Sequence, residues 1–553
     1  MRRVFIASLM IFLPFGAHSQ VVVSGNVQSD VMIPQEDRAV GAEKQEDILT
    51  NTYAGLSVSS NYIDAGFRVE YLEHPLYGFE KDFKGWGLPF FYVKGKLEKV
   101  ELTAGTFYEQ FGSGFILGTY EERSLGIDNS LLGGSLLYKP LKGITIKALT
   151  GRQRRYWEWN KSLISGVDAE FSVEELIPLL KENDSHLTVG ASWVNRYEKN
   201  NSEIFADPTH KLNLPVFVNA WDFRISLDQG PLSFLAEYAG KTDDPSYANG
   251  YIYRKGSVAM LSGSYSQKGF SVLLQAKRSE NMSFKSTDDP MKAIGISSTV
   301  NHLPAFTMEH TYALASHYPY ATQLADGEWA YQGEVGYNFK RNTVFGGRYG
   351  MNLKLNASYI RNINRDFKDG GTYNTLAGTL SLAGTEGYET SFFRWGNQTL
   401  YQDYNVQLSR RLSKDIRLFV MYMNQRCNMT VVEGSGGMVN SDIVVADIKY
   451  QLLPKVILRG ELQYLFTDDD KGDWAFGLLE MSFAPHWMIT LSDQYNVGET
   501  KIHYYLGQVS YSLGSHRLQA GYGRMREGYN CSGGVCRYVP ASKGVMLSYN
   551  YSF

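Results

Sequence analysis

Three stretches of this chain concentrate the residue types that do chemistry. The first is a basic and aromatic run, Arg152, Arg154 and Arg155 followed by Tyr156-Trp157-Glu158-Trp159. Arginines lining an aqueous passage would guide anions, and Trp157 with Trp159 would stack on sugar rings. The same composition suits the rim of a membrane strand, with arginines and tryptophans at the outer headgroup boundary. Alternation places Arg152 and Arg154 on one face.

The second stretch runs from Glu109-Gln110-Phe111-Gly112-Ser113-Gly114 through Tyr120-Glu121-Glu122-Arg123 to Asp128-Asn129. The third occupies 279–327 and holds His310-Thr311-Tyr312 and Tyr318-Pro319-Tyr320-Ala321-Thr322-Gln323, with Glu328 just beyond. Both mix glycine, aromatics and charges, which is poor chemistry for a freely waving loop. Candidate constriction residues are therefore Glu109, Phe111, Glu121, Glu122, Arg123, Asp128, His310, Tyr312, Tyr318, Tyr320, Gln323 and Glu328. The alternative is two structured surface loops with ordinary aromatic packing.

Catalytic patterns are missing. The chain has no P-loop, no Rossmann glycine motif, no HExxH and no GxSxG elbow in a strand–turn–helix setting. Its 10 histidines are scattered, with no pair at metal-ligand spacing. No catalytic residue, metal or cofactor is expected, and the chain does not read as an enzyme. Cys531 and Cys536 bracket Ser-Gly-Gly-Val in the last surface loop and are expected to form a small disulfide in an oxidising compartment. Cys427 is left over in a different loop.

The elements that must carry these residues alternate with period two. Val456, Leu458, Gly460, Leu462 and Tyr464 form one face, against Ile457, Arg459, Glu461 and Gln463. Val23, Gly25, Val27 and Val31 oppose Ser24, Asn26, Gln28 and Asp30; Phe67, Val69 and Tyr71 oppose Arg68 and Glu70. Such a repeat puts each set on one side of a sheet. Aromatics make up 14% of the 553 residues, with 38 tyrosines, 54 glycines and only 16 prolines. Mean hydropathy is −0.28, as expected where only every second strand residue needs to be apolar. A net charge of −3 gives no case for nucleic acid.

Three features select a membrane barrel over a sandwich. Tight turns such as Leu97-Glu98-Lys99, Lys139-Pro140, Gln267-Lys268 and Gly514-Ser515 alternate with longer loops. Tyrosines cluster at strand ends: Tyr138, Tyr265, Tyr450 and Tyr511 at one boundary, Tyr71, Tyr238, Tyr359, Tyr422 and Tyr464 at the other. The chain ends on Val545, Leu547, Tyr549, Tyr551 and Phe553, an aromatic face that resembles the signal read by outer-membrane assembly machinery. Arg2 and Arg3, the apolar Val4–Phe15 and Ala17-His18-Ser19 read as a signal peptide over 1–19.

The fold expected is all-β: a transmembrane antiparallel barrel of about 24 strands (22 to 26) over 20–553. Thr372 to Ala383 would supply an extra pair. Residues 109–130 and 279–327 are the candidate lumen loops. Ser172-Val173-Glu174-Glu175 reads as a capping box opening a short periplasmic helix over 173–183, limited by Pro178.

Gly105-Thr106-Phe107-Tyr108-Glu109-Gln110-Phe111-Gly112-Ser113-Gly114, with Tyr120 to Arg123, Leu125 to Asn129 and the His310-to-Glu328 motif, resembles a family of uncharacterised outer-membrane proteins from Bacteroidota. The resemblance spans most of the mature chain and implies a barrel in the outer membrane, without an activity or assigned residues. The expected function is a pore or transporter for a polar solute with a loop-constricted lumen. A non-conducting scaffold or secretion-complex component, binding envelope partners, is the alternative. Lumenal charges Arg68 and Glu70, Asp447 and Lys449, and Arg459 and Glu461 read as paired signs that brace the wall. No plug domain is evident before the first strand, which argues against an energy-coupled receptor.

Overall fold

The computed structural model describes residues 21–199, 203–293, 297–367, 382–432 and 434–553. The expected signal segment and most of Thr372 to Ala383 lie outside the described residues. The main sheet holds 25 strands, of which Glu158–Trp159 is a two-residue piece at the rim. The other 24 run antiparallel, each beside its sequence neighbours, and the first strand, Val22–Pro34, pairs with the last, Ser542–Ser552. That seam runs from Asn26 opposite Ser552 to Pro34 opposite Gly544. It is finished by backbone bonds in both directions between Gly25 and Phe553, at 3.1 and 3.0 Å. Gly25 is needed there, because a Cβ would sit 2.5 Å from the Phe553 ring.

Alternation now has two physical sides. Outward residues stay exposed although apolar: Leu462 is 70% exposed, Leu274 62% and Phe223 60%. A surface of that kind is stable against lipid, not water. Tyr71, Tyr238 and Tyr422 stand on it near one end, and Tyr138 and Tyr450 near the other. Two of the first group anchor their hydroxyls on carboxylates, Tyr71 on Glu73 and Tyr422 on Asp442. Inward residues toward the end that carries the tight turns are small, polar or water-exposed charges, and toward the other end they are buried, many of them charged.

Most turns on the chain-terminus side have two to five residues, while the opposite side carries connections of six to 47. Two turns depart from this. One is 340–350; the other holds the helical insertion. There Ser172 makes no side-chain cap bond, so the expected capping box is absent. Val173–Glu175 forms a single 3-10 turn, and Pro178 opens the helix Pro178–Glu182 instead of limiting it. Proline suits that first helical position because its missing N–H has no intrahelical partner there. Cys427 is not in a loop either. It is the last residue but one of the strand Ile416–Asn428, fully buried, because that strand continues pairing to Asn428 opposite Met438.

Leu462 lies mid-strand between Ala446 and Gly477, facing out. Leu462→Arg is expected to lower unfolding free energy in vesicles by about 2–4 kcal/mol, against about 0–1 kcal/mol for Ser492→Arg on the lumenal face. Reversible denaturation of the two variants measures the difference.

Candidate functional site: the filled lumen

A 24-strand wall encloses a wide lumen, and long loops fill its upper half. Segments 108–130 and 281–327 enter it and pack on each other. Phe111, Phe115, Ile116, Leu117, Met282, Phe284 and Val300 are fully buried in one apolar cluster with Ile164, Val194, Val218 and Met260 of the wall. Backbone bonds knit the two segments, from Gly118 N–H to Val300 C=O and from His302 N–H to Gly114 C=O, each 2.9 Å. Asn129 and Gln153 both donate to the Thr299 carbonyl.

Charge docks the first segment. Arg68 and Glu70, two apart on the strand Ile63–Leu72, share the inward face and pair at 2.7 Å. Arg68 also reaches Glu121 (2.9 Å) and Asp128 of the loop. Arg154 closes the circuit on Glu70 (2.7 Å) and Asp128 (2.6 Å), and Arg123 holds Glu121 and Gln28. Three guanidiniums thus neutralise three carboxylates, and each buried charge has a partner, as burial requires. Four candidates, Glu121, Arg123, Asp128 and Arg154, meet here. Glu122 does not; it bonds Ser124 beside it.

Farther round the wall, Glu109 pairs with Lys147 at 2.8 Å. Phe111 lies against Gly166, whose lack of a side chain makes room for its ring. Gly112, at φ +52°, turns the chain onto Glu237, which accepts the Ser113 N–H at 3.0 Å. A Cβ on Gly112 would stand 2.6 Å from that carboxylate. Below it Arg224 gathers Asp168, Glu170 and Asp222 within 2.9 Å.

The second segment anchors on the remaining strands. Arg196, 1% exposed, binds Asp244 (3.1 Å) and Asp288 (2.6 Å) and donates to the Lys285 carbonyl. Lys241 binds Asp244 and the Ser283 carbonyl. Burial, with the Asp244 and Glu198 carboxyls close by, pushes Asp288 up to about 7 despite Arg196. His310 meets Asp403 at 2.8 Å. Tyr312 stacks on Phe419 with centroids 5.2 Å apart. Tyr318 donates to Asp470, and Tyr320 to Glu328, which also accepts the Gln323 N–H and pairs with Lys277 at 3.0 Å. The hairpin closed by the Cys531–Cys536 disulfide rests on top. Its tip bonds both Glu309 and the Thr322 N–H, and Asn530 donates to Ser124 of the first segment.

The basic-aromatic run is taken apart. Arg152 is exposed while Arg154 is buried, so the two do not share a face. Wall pairing with the next strand ends at Gly151 and with the preceding strand at Gln153, opposite Leu131; Arg154 and Arg155 then pair with Glu158–Trp159, which frees Arg154 to turn over the lumen. Trp157 and Trp159 form no open stacking platform. Trp157 covers Gly85 and Gly87 and donates to the carbonyls of Phe83 and Lys84. Asp447 pairs with Arg459 at 2.8 Å, not with Lys449. Sequence reading passed over Glu237, Arg196, Lys241, Lys277 and Asp403. Their signal was available: polar residues on the inward face of strands otherwise lined with small ones.

Removing Arg154 leaves Glu70 and Asp128 with one cation between them. Arg154→Ala is expected to cost about 3–5 kcal/mol and to release 108–130, read as faster hydrogen exchange there. The raised Asp288 carboxyl makes docking of 285–292 pH-dependent. The docked state holds the proton more tightly, so this contribution is fully present below the ordinary carboxylate range and is lost as pH rises through about 7. Exchange in that stretch, corrected for intrinsic rate, should quicken above pH ~7 in the native chain and lose this step in Asp288→Asn.

No curated protein matches the chain. Among solved structures, OccAB3 of Acinetobacter baumannii is 8% identical, with a TM-score of 0.36 over 97% of this chain and 99% of that one. The translocation pore of the P pilus usher PapC is 10% identical, with a TM-score of 0.42 over 96% and 99%. A mutant form of the ferric enterobactin receptor PfeA of Pseudomonas aeruginosa is 10% identical, with a TM-score of 0.43 over 96% and 80%. These overlays are loose, and no residue or ligand carries across from them. The sequence itself is matched along its whole length, residues 1–553, by the Family of unknown function (DUF6029), and the chain belongs to that family.

Proposed function

We propose that the protein is an outer-membrane transport barrel that passes a polar solute through a lumen closed by its own loops. In this reading residues 1–19 direct export, assembly machinery reads the strand ending in Phe553, and the source is one of the Bacteroidota. The role is passage, not catalysis.

One observation carries the reading: the filling is separable from the wall. Among the described residues, segments 108–130 and 281–327 contribute no strand to the main sheet, and their own strand pair, Glu121–Glu122 with Ile127–Asp128, stands apart from it. They are held to the wall by side-chain ion pairs, hydrogen bonds and a shared apolar cluster, and not by strand pairing. Side-chain contacts of this kind can be given up without opening the barrel, whereas a strand in the sheet could leave only by breaking its backbone ladder. Beneath the filling the inward face is polar, with Ser262, Ser264, Asn352, Gln407, Ser492 and Gln508 among its members.

A second reading, a silent scaffold, draws on the apolar packing among the outer loops, where Leu212, Leu214 and Tyr251 form one small core and Ile252, Leu382 and Tyr388 another. Planar-bilayer recording separates the two. The native chain should show low or intermittent conductance, and removal of Ser283 to Ala325 should produce large stable steps. Equal, silent traces from both would overturn the transport reading and favour the scaffold.

A further inference from the structure

The lower lumen carries a feature that the filling does not explain. Arg411 lies directly opposite Arg417, Arg417 opposite Lys449, and Lys449 opposite Arg459. Four cations thus occupy one level on four adjacent strands, about 14 Å across at the usual strand spacing. Like charges directly opposite one another destabilise a sheet.

All four face the lumen, because a same-face neighbour on each strand touches the inward loop or its partner. Gln407, four residues from Arg411, donates to Met308. Phe419, two from Arg417, stacks on Tyr312. Asp447, two from Lys449, is approached by the Tyr312 hydroxyl. Glu461, two from Arg459, flanks that same Asp447–Arg459 pair. The row therefore lies roughly 7 Å below the filling, at two residues of strand rise.

Its charges are unequally satisfied. Arg459 is neutralised by Asp447 and Glu461, with Glu480 next in the row. Arg411 donates only to the Lys414 carbonyl, and Arg417 and Lys449 have no ion pair among the described residues. Arg411 and Arg417 also line a cavity of ≈ 860 Å³ at the mouth, together with Lys268, Lys340, Arg341 and Arg410. Lys340 and Arg341 come from the 340–350 turn, one of the two long ones on this side, and they too lack an ion pair among the described residues. Asp415 is the acid nearest in sequence. The cavity floor supplies Asn338, Asn352 and Ser409 as neutral hydrogen-bond donors.

We propose that this row and mouth form a binding site for a multiply charged anion bearing phosphate or carboxylate groups, and that the solute moving through the barrel is of that class. The inference rests on the transport reading for its second clause only. Extended anions match a row of cations at strand spacing, guanidiniums pair with planar or tetrahedral oxyanions in two-pronged fashion, and a narrow aqueous cleft of one sign focuses its field. A bound anion would also relieve the repulsion along the row.

The probe is inorganic triphosphate, titrated calorimetrically into the full detergent-solubilised chain at low salt. Binding is expected, weakening as salt rises. Arg417→Gln with Lys449→Gln should weaken it by about tenfold. Leu462→Gln, on the lipid face, should leave it unchanged and serves as the control for fold. Absence of binding, or equal binding by the double variant, would overturn the site. Reversal potentials across a salt gradient, recorded on the chain lacking Ser283 to Ala325, test the solute class. Anion preference that falls in the double variant supports it, and cation preference or no change overturns it. A barrel that binds triphosphate yet never conducts would overturn transport and leave the site standing.

Discussion

Everything in this molecule follows from the need to pair backbone N–H and C=O groups in a medium that offers them no water. A spanning strand can satisfy them only on two neighbours, so the first and last strands must meet, and here they do from Asn26–Ser552 to Pro34–Gly544. Closure with 24 strands fixes a wide ring. The ring then poses its own difficulty, since an interior that broad cannot be packed by side chains from the wall alone. The chain supplies 23 residues between one pair of strands and 47 between another, and folds both inward.

An inward loop must bring polar backbone and charged side chains against a wall, and each buried group needs a partner. The wall meets that need with charges two residues apart on one strand face: Arg68 with Glu70, and Asp222 with Arg224. Period two keeps both members of each pair on the lumenal side and within 2.9 Å of one another. The wall group is thereby oriented before the loop arrives, so docking fixes fewer rotatable bonds. Asp128 and Glu121 extend such a pair, and Ser113 meets a carboxylate beside another.

How much of this was legible in the sequence depends on range. The strand count, the barrel and the tyrosine boundaries are local patterns that repeat every two residues or every strand, so they can be read along the chain. Glu121, Arg123 and Asp128 could be singled out, but not their partners. Arg68 and Asp128 are 60 residues apart, Arg154 and Glu70 are 84, and His310 and Asp403 are 93. Nothing in a linear pattern specifies which loop carboxylate falls on which wall cation. Alternation also failed where pairing stops. Arg154 lies beyond the last wall pair on one side, so its direction is set by the loop beneath it. Cys427 failed conversely, because pairing runs on past the point where a loop was expected, with Cys427 opposite both Tyr401 and Val439.

The two ends of the lumen treat charge in opposite ways, and this asymmetry is physical. At the filled end charges are nearly stripped of water, and an unpaired one would cost several kcal/mol, so cations and carboxylates are matched almost one to one. At the open end water screens them, and like charges in a row cost little enough for the fold to tolerate. Arg459 marks the transition. It belongs to the row by register, yet it reaches upward to Asp447 and Glu461, the carboxylates nearest the filling. Its neighbours Lys449 and Arg417 lie one and two strands farther along the same level and keep their charge for the water below. A field that is neutral above and positive beneath gives the barrel a direction that its nearly uniform wall of strands does not.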